Sequence, residues 1–533
     1  MKSSGSYYTP YPVAKFVVTH LLSSFHAGGA SLTVLEPSAG DGVFIKALNS
    51  VGCTEILNSA NIVVDAIDIN NSALSKLREI PLERNVNLNV TEGDFLLTLT
   101  PSPSYDIVIG NPPYISHHHL TQEQLQACSE IHSSADLSHF RIRNIWPSFL
   151  VKCIQLVKPD GALAFVLPSE FLQVKYALEL QALVLANFER VEIFSFARIL
   201  FKGIEQDTVL VIAWKKSTNP GLFFSPVFDE QELIRNSFSM DRHQNSKYKW
   251  SSHFLDDFEL KLVTSASDAL TPLDDLCISA AGVVTAANNF FILNASDVSN
   301  WELGDYARPI IKSGAHVSRL ILIEDRDIQN VSERELPCYL IDLNHVESLD
   351  ESLRRYLEHG ELAGLPNRHK CTKRVNWYKV PNIWSSEVIF FKRAHKIPKF
   401  LLNKADVLVT DTAYRVRVKP GVDPLSLVSS FYNSLTLTLV ELEGRSYGGG
   451  VLELTPNEFR KVRIPHFEHD QSYFDTINKM VEDGTDFEDI ICFNDTEILT
   501  KKLQLSTEVV SKLRHIREKL LSRRLMKNNY NQT

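Results

Sequence analysis

Hydrophobic and polar residues alternate along the first third of the chain in two different patterns. Short, mostly apolar runs of strand length occur at residues 32–35, 62–67, 105–110 and 162–167, and a further strand is predicted near 86–90. Between these runs, apolar residues at helical spacing predict helices over about 12–24, 44–48, 73–77 and 146–157. Nearly continuous apolar strands that alternate with helices are typical of a parallel sheet buried on both faces. The pattern therefore predicts an α/β fold with a doubly wound sheet.

Polar residues suited to chemistry follow the predicted strands directly. In a doubly wound sheet, the ligand binds outside the carboxyl ends of the strands. Gly40 and Gly42 follow the first strand and allow a close approach of backbone to ligand. Asp68 ends the second strand and can accept hydrogen bonds from ribose hydroxyls, while Asp94 can accept from the adenine amine, with Phe95 beside the ring. The strict Gly-x-Gly-x-x-Gly pattern is absent, which favours an adenosyl ligand without a pyrophosphate over NAD.

The strand at 105–110 leads into the tetrapeptide Asn111-Pro112-Pro113-Tyr114. An amide or aminopurine nitrogen is a poor nucleophile, because its lone pair is delocalised. The Asn111 side-chain oxygen and the Pro112 carbonyl can each accept one N–H, which keeps electron density on that nitrogen. Tyr114 can stack on a flat ring. The tetrapeptide thus predicts methylation of an amino nitrogen, and the absence of a Pro-Cys nucleophile in this loop argues against cytosine-C5 methylation.

Cationic and aromatic residues concentrate between residues 361 and 404, although the whole chain has a net charge of −9. Because only local charge meets phosphates, the distribution matters more than the total. Cations interleaved with aromatic rings suit a surface that contacts phosphates and bases. A solvated face over an ordinary core would have the same composition. The predicted DNA-contacting residues are Lys370, Lys373, Arg374, Trp377, Tyr378, Lys392 and Arg393.

The motifs and their order resemble those of gamma-class, TaqI-like DNA adenine-N6 methyltransferases of restriction–modification systems. The matching segments are Tyr8-Thr9-Pro10, Leu35 to Phe44, Ala66 to Ile69, Gly93-Asp94-Phe95, Gly110 to Tyr114 and Leu200 to Ile204. That family more often has Glu where this chain has Asp68. Weaker similarity at 279–288 and 448–456 resembles the two ends of the family's target-recognition region.

The resemblance implies a class I methyltransferase with S-adenosylmethionine as cofactor and a Rossmann-like, mostly parallel sheet. The cofactor-binding residues it implies are Thr9, Glu36, Pro37, Ala39, Gly40, Gly42, Asp68, Ile69, Asp94 and Phe95. The catalytic residues it implies are Asn111, Pro112, Tyr114 and Phe201. Phe201 would pack against the target base, and Phe194 and Phe196 are nearby alternatives for that contact.

The implied reaction is methylation of adenine N6 in duplex DNA, with the base rotated out of the stack. Cytosine-N4 enzymes share this logic but usually have Ser at the position of Asn111. Two other functions stay open. One is methylation of ribosomal RNA or of protein glutamine, since such enzymes also use Asn-Pro-Pro-Tyr. The other is a catalytically silent DNA-binding module derived from a methyltransferase.

The resemblance and the breaks in pattern predict three parts of the chain. Residues 1–240 form the catalytic domain, residues 265–465 a mixed α/β target-recognition domain, and residues 466–533 a C-terminal helical segment. A basic amphipathic helix is predicted from Thr507 onward, and packing within the protein is favoured over contact with DNA. We also predict a monomer, with any cognate restriction endonuclease as a separate chain.

Cysteine usage and hydropathy indicate the compartment. Seven scattered cysteines without a Cys-x-x-Cys pair favour reduced thiols in the cytoplasm. No segment approaches eighteen apolar residues, so no transmembrane helix and no membrane partner are predicted. His117-His118-His119 lacks partners at ligand spacing, so no metal site is predicted.

Overall fold

The structure is a computed structural model. It describes residues 9–24, 31–51, 61–98, 104–137, 141–174, 176–196, 207–227, 230–235, 238–242, 249–317, 321–447 and 450–526. The chain divides into two compact units, the first mainly residues 1–254 and the second mainly residues 255–525. The second unit includes most of the predicted C-terminal segment. The division into three domains therefore stays a prediction.

The first unit is built on one large mixed sheet. Its described strands are β1 (Ser31–Glu36), β2 (Asn61–Asp68), β3 (Val86–Glu92), β4 (Tyr105–Gly110), β5 (Val157–Pro168), β6 (Arg190–Phe196), β7 (Thr208–Trp214), β8 (Gly221–Val227) and β9 (Asp241–Arg242). They lie in the order β3-β2-β1-β4-β5-β7-β6-β8-β9. Strands β3 to β5 in that order are parallel, whereas β7 runs antiparallel to both β5 and β6. The predicted doubly wound, mostly parallel sheet is confirmed.

Helices cover both faces of this sheet. They are α1 (Tyr11–Ser24), α2 (Val43–Val51), α3 (Asn71–Arg78), α4 (Gln122–Ser133), α5 (Trp146–Leu156), α6 (Glu170–Gln173), α7 (Ala177–Asn187) and α8 (Glu230–Arg235). Successive residues of a strand point to opposite faces. Accordingly, Val34 and Leu35 are both fully buried, but Val34 packs with α1 and α2 whereas Leu35 packs with α5 and α7. Burial on both sides explains why the central strands are continuously apolar.

The segment Pro159-Asp160-Gly161 lies inside β5, ahead of the apolar run at 162–167. Helix α5 runs directly into this strand, and the pairing of β4 with β5 shifts register between Tyr105 and Ile107. A Cβ atom on Gly161 would lie 2.7 Å from the Asp106 carbonyl oxygen. Glycine is therefore needed there for a close approach of two strands, and not for a turn.

The second unit combines several smaller sheets with helices. The strands from residue 255 onward are β10 (Thr271–Pro272), β11 (Cys277–Ala281), β12 (Ile292–Leu293), β13 (Ala307–Ile311), β14 (Leu322–Ile323), β15 (Tyr339–Ile341), β16 (Val388–Phe391), β17 (Arg393–Ala394), β18 (Phe400–Asn403), β19 (Leu408–Val409), β20 (Ala413–Val418), β21 (Arg445–Tyr447), β22 (Val451–Glu453) and β23 (Arg463–Ile464). The main sheet has the order β11-β20-β16-β18-β14, and a second one has the order β12-β15-β13-β19.

The helices of the second unit are numerous and mostly short. They are α9 (Asp257–Ser267), α10 (Leu273–Leu276), α11 (Asn288–Phe291), α12 (Ala295–Asn300), α13 (Asp325–Glu333), α14 (Glu351–Leu362), α15 (Pro424–Ser429), α16 (Ser434–Glu443), α17 (Pro456–Lys461), α18 (Gln471–Glu482), α19 (Phe487–Asn494) and α20 (Thr507–Met526). A π-helical segment, Asp495–Lys502, follows α19. This composition agrees with the predicted mixed α/β region followed by helices.

The C-terminal helix α20 packs into the second unit through an apolar stripe and through ion pairs. Leu513, Ile516 and Leu520 are buried on it. Its arginines pair with carboxylates of the same unit, namely Arg514 with Asp495, Arg517 with Glu488 and Arg524 with Glu441. These side chains therefore pack within the protein, as the sequence predicted in preference to contact with DNA.

The described residues contain neither a membrane-spanning helix nor a group of metal ligands. No helix there is long and apolar enough to cross a membrane. No group of three or more His, Cys, Asp or Glu side chains in the described part of the chain is arranged to hold a metal ion.

Candidate active site

A cavity of about 150 Å³ opens at the carboxyl ends of β1, β2, β3 and β4. Most of the predicted cofactor-binding residues line it, together with the first catalytic residue: Thr9, Glu36, Pro37, Ala39, Gly40, Asp68, Ile69, Asp94, Phe95 and Asn111. The structure thus brings together side chains that are up to 102 positions apart in the sequence.

Gly42 serves the turn and does not line the cavity. Its φ of +78° is in the left-handed region, and a Cβ atom there would lie 2.7 Å from a methyl carbon of Ile80. Glycine is therefore required both for the backbone conformation and for packing against the helix α3 region. This correction assigns Gly42 a role in shaping the β1–α2 turn, instead of one in direct ligand contact.

Asp68 braces the turn after β1. One of its carboxylate oxygens accepts a hydrogen bond from the Gly40 N–H at 2.7 Å, and the other accepts from the Asn70 N–H at 2.8 Å. A carboxylate has four acceptor positions, so two stay open to a ligand. Next to it, Ile69 is 68% exposed at the cavity. An exposed isoleucine at the mouth of a pocket is suited to contact with one face of a planar ring.

Glu36 is a buried carboxyl group at the base of the cavity. It is 1% exposed, and its Oε2 atom has no hydrogen-bond partner among the described residues. Burial, followed by the negative charges of Asp68 and Asp41, raises the pKa of Glu36 well above its usual value. A cation placed beside this carboxyl group would lower its pKa again.

Asp94 and Phe95 are adjacent residues that both line the cavity. Asp94 accepts hydrogen bonds from the Leu96 N–H at 2.9 Å and from the Gln124 side-chain amide at 2.7 Å. Phe95 is buried against Phe149, with ring centroids 5.3 Å apart. Gln124 and Phe149 line the same cavity and were missed in the sequence. They lie on α4 and α5, and no local motif links these helices to the strand ends.

Lys152 anchors the loop that carries Asp94 and Phe95. Its buried ammonium donates to the carbonyl oxygens of Phe95 at 2.6 Å and Thr98 at 2.7 Å, and to that of Leu96 at 3.3 Å. It also lies 4.6 Å from the centre of the Phe95 ring. Burial lowers the pKa of this lysine. The only sequence signal for this role is a single cation within the apolar helix α5.

Hydrogen bonds on both sides fix the orientation of the Asn111 side chain. Its amide nitrogen donates to the Thr9 hydroxyl at 3.2 Å, and its Oδ1 atom lies 3.0 Å from the Tyr114 hydroxyl. The backbone carbonyl of Asn111 accepts from the Ser38 hydroxyl at 3.1 Å. The amide nitrogen is therefore directed to Thr9 and the amide oxygen to Tyr114. An oriented amide oxygen of this kind can accept a hydrogen bond from an amino group.

Pro112 and Tyr114, which were also predicted to be catalytic, are placed differently from Asn111. Pro112 is buried, and Tyr114 directs its hydroxyl to within 3.0 Å of the Val166 carbonyl oxygen. Neither residue lines the cavity. Phe201 lies outside the described residues. The two alternatives to it, Phe194 and Phe196, are both buried in the core.

In the second unit, the predicted DNA-contacting residues fall into two groups. Arg374 is half-buried and donates to the carbonyl oxygens of Trp377, Val284 and Thr285. Trp377 packs 5.6 Å from Phe290, and Tyr378 packs against the same hydrophobic clusters. These three half-buried side chains all bind or pack within the second unit, and their contact with DNA stays a prediction. Lys370, Lys373 and Arg393 are exposed, and Lys392 is half-buried.

Two known protein families match this chain, one in each unit. Residues 47–201 match the Eco57I restriction-modification methylase family, and residues 247–499 match the C-terminal domain of the Type II methyltransferase M.Eco57I. The chain belongs to the Eco57I family of restriction–modification methylases. The resemblance inferred from the sequence motifs is therefore confirmed at the level of restriction–modification methyltransferases.

Individual relatives of this Eco57I-family methylase are distant but extend along most of its length. M.AccI of Acinetobacter calcoaceticus is 22% identical over 86% of this chain and 85% of its own. M.XamI of Xanthomonas campestris pv. amaranthicola is 22% identical over 87% of this chain and 86% of its own. Both are Type II methyltransferases.

A solved structure has the same fold at low sequence identity. The Type IIL restriction-modification enzyme MmeI, in complex with DNA, is 12% identical, with a TM-score of 0.53 over 96% of this chain and 73% of that chain. With the strand order of the first unit, this similarity shows the class I methyltransferase fold. The family matches, and not this structural similarity, show that the chain is a methyltransferase of the restriction–modification type.

Proposed function

We propose that this methylase transfers a methyl group from S-adenosylmethionine to the N6 amino group of adenine in duplex DNA, as the modification enzyme of a restriction–modification system. The observation that carries the proposal is the oriented amide of Asn111 at the cavity, with Thr9 on one side and Tyr114 on the other. The names of the relatives support the restriction–modification setting.

The cavity residues fit S-adenosylmethionine by charge and shape. The buried Glu36 oxygen without a partner is suited to the cofactor's cationic end. Asp68 has open acceptor positions for ribose hydroxyls, and Ile69 and Phe95 are suited to the faces of the adenine ring. When bound, the cofactor supplies an electrophilic methyl group on a sulfonium centre. The residues of the chain then have only to bind, orient and desolvate.

The catalytic loop prepares the amino nitrogen of the target base. Asn111 Oδ1 accepts one N–H of the base, and the Pro112 carbonyl accepts the other. Both bonds keep the lone pair on nitrogen and hold it in line for displacement. Tyr114 stacks on the base, which requires its ring to leave the position near the Val166 carbonyl. Phe201 is the proposed second aromatic contact.

Adenine is favoured over cytosine because the catalytic loop has Asn at position 111. The target base must leave the duplex for its amino group to reach this amide, at a cost of a few kcal/mol that stacking offsets in part. We further propose that the chain acts as a monomer, with DNA contacts from Lys370, Lys373, Lys392 and Arg393. Any cognate endonuclease would then be a separate chain.

Glu36 makes cofactor binding depend on pH. Because its pKa is raised in the empty cavity, the carboxyl stays protonated at pH values where a free glutamate is ionised. A bound cation favours the carboxylate, so binding releases a proton, and affinity rises with pH until the raised pKa is reached. We expect release of roughly one proton per cofactor, measured by titration calorimetry in two buffers with different ionisation enthalpies. Glu36→Gln should abolish it, and equal release by both proteins would contradict this role.

Lys152→Met should weaken cofactor binding without touching the cofactor directly. The change leaves three buried carbonyl oxygens of the loop at 95–98 without their donor. We expect the dissociation constant for S-adenosylmethionine to rise about tenfold, as the loss of roughly 1.4 kcal/mol implies. Lys76→Met, at an exposed position on α3, is the matched control and should bind as the wild type does. An unchanged constant for Lys152→Met would refute the anchoring role.

The substrate class is tested by offering three acceptors together. Purified protein is incubated with methyl-labelled S-adenosylmethionine and equal amounts of duplex DNA, ribosomal RNA and a protein substrate with an accessible glutamine. Label in duplex DNA alone supports the proposal. Label in RNA or protein would establish the corresponding alternative, and failure to bind the cofactor would indicate a silent DNA-binding module.

A further inference from the structure

The connection between two neighbouring strands of the five-stranded sheet, β16 and β18, carries a cluster of cations, and its residues Arg393 and Ala394 pair with β22. Strands β16 and β18 pair antiparallel, with Phe390 opposite Phe400. Residues 392–399 connect them, with the sequence Lys-Arg-Ala-His-Lys-Ile-Pro-Lys. We call this connection the basic tip. It lines a groove with a volume of about 1090 Å³.

The backbone of the basic tip is held from several sides. The guanidinium of Arg524 on α20 donates to the carbonyl oxygens of His395 at 2.5 Å and Lys396 at 3.5 Å. The Lys399 ammonium donates to the Gly314 carbonyl at 2.8 Å. At the other end, the Lys392 carbonyl accepts from the Leu454 N–H at 2.9 Å. A tip anchored in this way presents its side chains in one arrangement.

Three side chains of the basic tip are exposed at the surface. His395 and Lys396 are exposed, and the Arg393 side chain is 66% exposed. Two of the three acidic residues that line the groove have partners outside the basic tip: Glu488 pairs with Arg517, and Asp486 accepts the Glu488 N–H at the start of helix α19, while Asp411 is the third. Within the basic tip, Arg393 pairs with Glu453. The cations of the basic tip therefore determine the charge on its side of the groove.

These features together match what a duplex groove requires. In the major groove of DNA, every base pair displays a distinct set of donors and acceptors to a protein segment that reaches it. Lysine donates to the O6 and N7 atoms of guanine, and an imidazole can donate or accept. Other cations of the same segment can lie beside the phosphates. A preorganised backbone lowers the entropy cost of this recognition.

We propose that the basic tip enters a groove of the target DNA, where His395 and Lys396 contact base edges and Lys392 contacts a phosphate. The proposal rests on the proposed function, because it assumes that duplex DNA is the substrate. It adds two residues, His395 and Lys396, to those predicted from the sequence. It makes Arg524 a positioning residue that acts through the backbone of the tip.

Single substitutions distinguish the two kinds of contact. For His395→Ala and Lys396→Ala, we expect kcat/KM for DNA to fall about tenfold at the target site, and methylation to spread to sequences that differ at one or two positions. Methylated positions are mapped by sequencing a treated plasmid. Lys392→Ala should weaken binding to all sequences alike and reduce the slope of log K against log salt by about one.

Lys404→Ala is the matched control. Lys404 is exposed in the same unit and does not line the groove, so its removal should change neither affinity nor specificity. Melting temperature and cofactor affinity are measured for every variant, and both should equal those of the wild type. Unchanged KM and unchanged target sequence in His395→Ala and Lys396→Ala would overturn the proposal. Absence of DNA methylation by the wild type would instead overturn the proposed function.

Discussion

Asn111→Ala should abolish methyl transfer while leaving cofactor binding intact. The change removes the oriented acceptor for the target amino group, but not Glu36, Asp68 or Asp94 in the cavity. Removing one preorganised polar group of this kind costs about 10³-fold in kcat, which corresponds to about 4 kcal/mol of transition-state stabilisation. Single-turnover methylation of DNA measures the rate, and calorimetry measures the affinity for S-adenosylmethionine.

The control for this variant is the same substitution at an exposed position. The exposed side-chain amide of Asn87 on β3 donates a hydrogen bond to the Asn61 side chain. Asn87→Ala should therefore methylate DNA at the wild-type rate. A rate for Asn111→Ala within tenfold of the wild type would contradict the assignment of Asn111 as the acceptor for the substrate amine.

Arg524→Met should destabilise the second unit strongly. Arg524 and Glu441 are 3% and 9% exposed, and their side chains lie 2.7 Å apart. Removing the cation leaves a buried carboxylate without its partner, for which a cost of about 3–5 kcal/mol is typical. It also deprives the basic tip of its donor to the His395 carbonyl. Denaturant unfolding should show this loss of free energy of unfolding.

Two comparisons separate this effect from a general loss of charge on α20. Lys512 pairs with Glu508 at the surface of the same helix, so Lys512→Met should change stability by less than about 0.5 kcal/mol. The cofactor cavity consists of first-unit residues, so Arg524→Met should still bind S-adenosylmethionine. Equal stability of Arg524→Met and the wild type would show that the buried pair does not hold the helix.

The parallel half of the sheet could be predicted from the sequence because its central strands are buried on both faces and so are almost continuously apolar, while the edge strand β3 alternates apolar and polar residues. The position of β7 could not, since its pairing between β5 and β6 depends on contacts distant in the chain. Local periodicity identifies a strand but not its neighbours. The register shift around Tyr105 is hidden for the same reason.

At the cavity, the residues that motifs revealed are those fixed to strand ends. Asp68 and Asp94 are examples, because each follows a strand at the edge where ligands bind. Gln124 and Lys152 were not found, since they reach the cavity or its loop from helices whose placement is a tertiary property. The individual site roles remain predictions that the variants above test.

The basic region shows how composition overstates a binding surface. Arg374 and Lys399 carry the same charge as Lys396, yet both donate to backbone carbonyls inside the second unit. A buried cation must find such acceptors, because its desolvation is costly. Sequence alone does not distinguish these structural cations from exposed ones.

The central claim is that the Asn111 loop methylates the amino nitrogen of adenine in duplex DNA. The most direct test is to treat plasmid DNA with the purified protein and methyl-labelled S-adenosylmethionine, digest it to nucleosides, and identify the labelled one by mass spectrometry. We predict label in N6-methyl-2′-deoxyadenosine alone. Label in N4-methyl-2′-deoxycytidine, or in no nucleoside of the DNA, would contradict the account.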